Sequence, residues 1–128
     1  MVIDTSALVA IFLGEPERRD FLKIIQQDGT RLISAPNALE TAMVLEGRHG
    51  AAVGREFDLF LHRLGIEIVS VDAAQVEVAR AGWRKYGKGR HPAGLNFGDC
   101  FAYALTKTSG EPLLAKGDDF PKTDVQCL

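Results

Sequence analysis

Met1-Val2-Ile3-Asp4-Thr5-Ser6 is the stretch from which the fold is read. Three apolar residues, two of them β-branched, run into a carboxylate and two hydroxyls, the pattern of a short buried strand with a polar tip. In an open α/β sheet, ligands bind beyond the carboxyl ends of the strands, which puts Asp4 where chemistry takes place. Asp at a strand end also serves as the N-cap of the next helix, and these six residues alone leave both roles open.

Outward from that strand, Ala7 to Leu13 is apolar nearly all round and predicts a short central helix stopped by Gly14. Glu15-Pro16 opens a second helix with Phe21, Leu22 and Ile25 on its apolar face, ended by Asp28-Gly29. Arg31 to Ala35 is a second strand. Pro36 biases Ala35 away from helical geometry, so the next helix is expected from about Ala38 to Gly47, with Arg48-His49-Gly50 as a connector. Val53, Phe57, Phe60, Leu61 and Leu64 fall at helical spacing, and Ile66 to Val71 reads as a third strand. Asp72 followed by Gln75 matches a capping box, which explains Asp72 as a cap for the helix through Tyr86. Gly87 to Gly94 is a Gly-rich basic loop, expected to be mobile. Asn96 caps a helix that runs to about Ser109-Gly110 with Asp99 at its third position, Pro112 to Ala115 is a fourth strand, and Asp124 to Leu128 is a candidate edge strand.

The 128 residues suit one domain, 1–128, large enough to bury roughly two-thirds of the surface its unfolded chain exposes. Fifteen Lys and Arg against seventeen Asp and Glu give a net charge of -2, so nucleic-acid binding would rest on local patches or a bound metal. No leader pattern and no apolar run of bilayer length is present, and a cytoplasmic protein with no membrane association is expected. Cys100 and Cys127 lack metal-ligand spacing and read as small hydrophobes.

Each acid has a structural explanation of its own: Glu40 and Asp99 suit first helical turns, Asp4 a cap. Together they follow a rule. Asp4 follows the first strand, Glu40 lies in the helix after the second, Asp99 opens a late helix, and Asp118-Asp119 follow the fourth strand. In a parallel sheet all four places lie at one edge. Carboxylates gathered there repel one another unless a cation neutralises them, and hard oxygen donors suit Mg²⁺ or Mn²⁺. Such an ion polarises a phosphoryl oxygen and lowers the pKa of a bound water, which is the chemistry of phosphodiester hydrolysis. Ser6 either bonds a phosphate oxygen or a metal-bound water, or caps the helix that follows.

The segments Ile3-Asp4-Thr5-Ser6-Ala7-Leu8, Ser34-Ala35-Pro36 with Glu40, Leu95-Asn96-Phe97-Gly98-Asp99-Cys100 and Leu114-Ala115-Lys116-Gly117-Asp118-Asp119-Phe120 resemble, in that order, PIN-domain ribonucleases of the VapC type, toxins of bacterial toxin-antitoxin pairs. The resemblance spans essentially the whole chain. It implies a three-layer α/β/α fold with a central parallel sheet of four to five strands, with Asp4 and Asp99 as main Mg²⁺ ligands, Glu40 as the third acid and Ser6 as the polar partner of Asp4. It also implies a Mg²⁺-dependent endoribonuclease acting on tRNA or another structured RNA, a homodimer, and a VapB-type antitoxin partner that blocks the acidic site. The family's Thr or Ser before the fourth acid is replaced by Ala115 and Gly117, which leaves Asp118 and Asp119 as candidates; Asp118, nearer the strand end, is preferred. Lys116 would then offset charge or touch the RNA backbone, and Lys88 and Arg90 would contact phosphates.

Two other classes share some of these features. A phospho-acceptor receiver domain would use Asp72 and Lys116, but Asp4 has no acidic neighbour. A PIN-like module that binds RNA or a partner without cutting would not need the retained acids.

Overall fold

The computed structural model describes residues 1–128. Four strands, β1 (Val2–Ile3), β2 (Leu32–Ser34), β3 (Glu67–Val69) and β4 (Leu113–Leu114), form one sheet in the order β3-β2-β1-β4. Every pairing is parallel, with Val2 opposite Leu32 and Leu113, and Ile33 opposite Ile68. The carboxyl ends of all four strands therefore share one edge. The candidate fifth strand is reduced to a single bridge from Leu113 to Cys127.

Six helices cover the sheet: α1 (Thr5–Phe12), α2 (Arg18–Gln27), α3 (Ala35–His49), α4 (Ala51–Arg63), α5 (Ala73–Tyr86) and α6 (Phe97–Ser109). Strand alternation sorts them into two layers. Ile3, Ile33 and Leu114 point into a core shared with Leu8, Leu45 and Phe57 from α1, α3 and α4. Val2 and Leu113, one residue out of phase, point into a second core with Ala79 and Tyr86 of α5 and Tyr103 and Leu105 of α6. This is the expected α/β/α sandwich around a parallel sheet of four strands.

Three local expectations are corrected. α3 begins at Ala35, with Pro36 within its first two positions, and runs to His49, so the connector shrinks to Gly50. Pro is tolerated there because its missing N–H would be unbonded in a first turn anyway, which outweighs the bias that it places on Ala35. Gly50 makes the reversal between α3 and α4 at φ 85, where a side chain would be strained. α2 starts at Arg18, beyond Pro16.

The basic loop after α5 is anchored. The Lys88 N–H donates to the Leu95 carbonyl at 3.0 Å and the Leu95 N–H to the Tyr86 carbonyl at 2.9 Å, while Arg90 and His91 both donate to the Gly87 carbonyl. The Ala93 N–H donates to His91 Nδ1, and the Ala93 side chain is fully buried. Glycine content signals backbone freedom, but these bonds and the buried Ala93 and Leu95 consume it.

Candidate metal and RNA site at the carboxyl edge of the sheet

Asp4 stands immediately after β1 and caps α1: its Oδ2 accepts the Ser6 N–H at 2.9 Å. Cap and candidate ligand are thus the same residue, because one carboxylate oxygen serves the helix. Asp4 is only 3% exposed. Burial holds its carboxyl above the usual carboxylate range, opposed by the bonds from Ser6 and reinforced by the charge of Glu40.

Asp99 is the third residue of α6 and closes a capping box with Asn96. The Asp99 N–H donates to Asn96 Oδ1 at 2.9 Å, and Asp99 Oδ2 accepts the Asn96 N–H at 3.0 Å. Its carboxyl is pushed up to about 6, first by burial, against the bond from Asn96, and then by the charges of Asp4, Asp119 and Glu40. Those three acids are therefore the ones whose fields meet at Asp99. Glu40 projects from α3 onto Gly98, where a Cβ would come within 2.6 Å of its Oε2.

Asp118 and Asp119 both follow β4 as exposed carboxylates. Of the two, Asp119 is among the charges that raise the Asp99 carboxyl. Phe120, buried in the second core, anchors the short 3-10 turn Phe120–Lys122 directly after Asp119.

Ser6 and Lys116 each have a long-range partner. Ser6 Oγ accepts the Lys116 backbone N–H at 2.9 Å, tying the start of α1 to the end of β4. The Lys116 ammonium pairs with Glu15 and, at 3.3 Å, with Glu17. It neutralises acids beyond the far end of α1. Asp72 is the cap that its sequence context implies, accepting the Gln75 N–H at 2.8 Å.

None of Asp4, Glu40, Asp99 and Asp119 takes part in an ion pair with Lys, Arg or His. Their side chains do not close on a common point. The donor set consists of hard carboxylate oxygens, partly buried and mutually repelling, and it fits Mg²⁺ or Mn²⁺.

Two apolar grooves flank this edge. One, of about 650 Å³, is lined by Val76, Trp83, Lys88, Leu95, Phe97 and Phe101 among others. The second, of about 410 Å³, runs past Leu39, Glu40, Met43 and Gly98. Phe97 belongs to both and is 81% exposed, with its ring edge-on to Phe101 at 4.9 Å. Arg90 stacks over Trp83 at 4.2 Å and Lys88 reaches the rim of the larger groove. Sequence reasoning singled out neither Phe97 nor the buried Asn37, whose Nδ2 bonds the Gly98 carbonyl at 2.9 Å. For Phe97 a signal was present, a large apolar residue at the solvent-facing start of a capped helix; for Asn37 there was none.

Comparison with known proteins agrees with this architecture. The PIN domain family matches residues 1–126. Ribonuclease VapC30 of Mycobacterium tuberculosis is 55% identical over 125 residues, covering 98% of this chain and 95% of the relative. Ribonuclease VapC of Mycolicibacterium smegmatis is 55% identical over 128 residues, covering 100% and 99%. The crystal structure of Mycobacterium tuberculosis VapC20, described as a Sarcin-Ricin loop cleaving toxin, shares the fold with a TM-score of 0.76 at 18% identity, over 97% of this chain and 95% of that one. A toxin-antitoxin complex from Klebsiella pneumoniae gives 0.74 at 18% identity, over 96% and 92%. The receiver alternative falls with these matches and with the cap and ion-pair roles of Asp72 and Lys116. The chain belongs to the PIN-domain family, on its VapC ribonuclease branch.

Proposed function

We propose that this chain, as one PIN domain, is a divalent-metal-dependent endoribonuclease that serves in the cytoplasm as the toxin of a toxin-antitoxin pair. The observation that carries the reading is that Asp4, Glu40 and Asp119 lie near enough to Asp99 at one sheet edge to raise its carboxyl, none of the four having a basic partner. The 55% identity to VapC ribonucleases over nearly the whole chain supports it. Asp4, Asp99 and Glu40 hold Mg²⁺ or Mn²⁺, and Asp119 completes the acidic edge. The bound ion supplies Lewis-acid polarisation of the phosphodiester and favours ionisation of water.

The chain's own residues set the geometry. The Ser6 N–H fixes one oxygen of Asp4, and the Asn96 N–H fixes one oxygen of Asp99, so each carboxylate presents its other oxygen in a defined direction. Lys88 and Arg90, on the rim of the larger groove, take backbone phosphates of a structured RNA. The protein acts as a homodimer, and a VapB-type antitoxin answers the carboxylates with a basic group.

Purified protein is expected to cut RNA with Mg²⁺ or Mn²⁺ and to stop in excess EDTA; cutting that persists in EDTA overturns the proposal. Lys88→Ala with Arg90→Ala should weaken RNA binding and lower the salt dependence of log K by about one for each phosphate no longer neutralised, with Mn²⁺ affinity unchanged. Filter binding across a salt series measures this, and an unchanged slope returns these residues to a structural role on the groove rim.

A further inference from the structure

Asn37 is not an acid of the edge, yet it touches every element that carries one of the three metal-holding acids. It is fully buried in the first turn of α3. Its Nδ2 donates to the Gly98 carbonyl at 2.9 Å, and its backbone carbonyl accepts from Thr5 Oγ1 at 3.2 Å and Thr41 Oγ1 at 2.8 Å. Thr5 follows Asp4, Gly98 precedes Asp99, and Glu40 lies three residues along the same helix, nearly one turn on. The peptide joining Gly98 to Asp99 is held at both ends, its carbonyl by Asn37 and its N–H by Asn96 Oδ1 at 2.9 Å.

Gly98 provides the other half of the contact. A Cβ there would stand 2.6 Å from Glu40 Oε2 and 2.8 Å from Oε1, so the Glu40 carboxylate rests on a bare backbone. Packing alone does not call for an amide in this place. Asn37 Oδ1 is buried without a protein partner, a cost that an apolar residue would avoid. The donor on the other arm is what Asn supplies and an apolar residue cannot.

We infer that Asn37 and Gly98 form a positioning clip that sets the distance of Glu40 from Asp4 and Asp99, and with it the affinity of the edge for a divalent cation. The inference rests on the metal-site reading above. Asn37→Ala in the full chain should weaken Mn²⁺ binding, measured by calorimetry, by about 10–100-fold. RNA cleavage should recover when Mn²⁺ is raised by the same factor, in a variant whose circular dichroism without metal shows that it is folded at the assay temperature. Parental Mn²⁺ affinity in the folded variant overturns the inference. If Asn37→Ala does not fold, Gly98→Ala replaces it: it should weaken Mn²⁺ binding in the parent and add nothing in a Glu40→Ala background, because its clash is with that carboxylate. Equal effects in both backgrounds overturn the clip. An unmodified chain that binds no Mn²⁺ overturns the metal reading itself, so the two failures are distinguishable.

Discussion

Asp99→Asn is expected to raise the melting temperature of the metal-free chain at pH 7 while slowing RNA cleavage by more than ~100-fold, beyond the usual loss when a residue supporting a ligand is removed. The two effects have one cause. The Asp99 carboxyl titrates at about 6 in the folded chain against an ordinary value of 3.8, chiefly because it is buried beside other acids. Between about pH 4 and pH 6 the folded chain keeps a proton that the unfolded chain releases. Stability of the metal-free protein therefore falls as pH rises through that window and stays lower above it. Asp4 shifts in the same direction. Removing the Asp99 charge should restore stability of the order of 1 kcal/mol, reduced from the full shift because the carboxyl is partly open to solvent, or about 3–5 °C. The Asn amide oxygen can still accept the Asn96 N–H, so the helix start survives. In the parent, protons compete with the cation, and Mn²⁺ affinity should drop as pH falls through about 6. Differential scanning calorimetry in EDTA, run beside a cleavage assay, reads both effects. A variant that melts lower than the parent, or cuts at the parental rate, sinks the assignment of Asp99.

Phe57→Ala should cost about 3–5 kcal/mol, enough to bring a domain of ordinary stability close to its unfolding threshold at room temperature. Phe57 is 1% exposed and takes the edge of Phe12 at 5.8 Å, while Phe12 also meets Phe60 at 5.2 Å. These rings join α4 to α1, and α4 in turn backs α3, which carries Glu40 and Asn37. Urea unfolding measures the effect. A change below about 1 kcal/mol would mean that α4 can be remodelled without disturbing the layer behind the acids.

What could be read from the sequence was what is decided locally. The strand ending at Asp4, the Asn96 and Asp99 capping box and the Asp72 cap each involve residues within four positions, and each is found in place. Adjacent residues of a strand face opposite sides, and Val2 with Leu113 and Ile3 with Leu114 fill the two cores accordingly. The misses come from partners far along the chain. Lys116 finds Glu15 and Glu17, and Ser6 finds the Lys116 N–H, across more than ninety residues. Asp119 lies beside the buried Phe120, and the buried Asn37 bonds the Gly98 carbonyl, sixty-one residues away. The loop at Lys88 misled for the same reason: composition shows that glycine can move, and only the neighbouring Leu95 and Ala93 show that it does not.

The place of β1 in the middle of the sheet bears on how such a nuclease is made. Val2 and Ile3 pair on one side with β4, at Leu113 and Leu114, and Asp99 and Asp119 also come late in the chain. A nascent chain leaving the ribosome carries Asp4 and Glu40 early but lacks the strand and the helix that bring the remaining acids to them. The acidic edge can assemble only once β4 and the segment through Asp119 have been made, so a chain stopped before them holds Asp4 and Glu40 but not the edge.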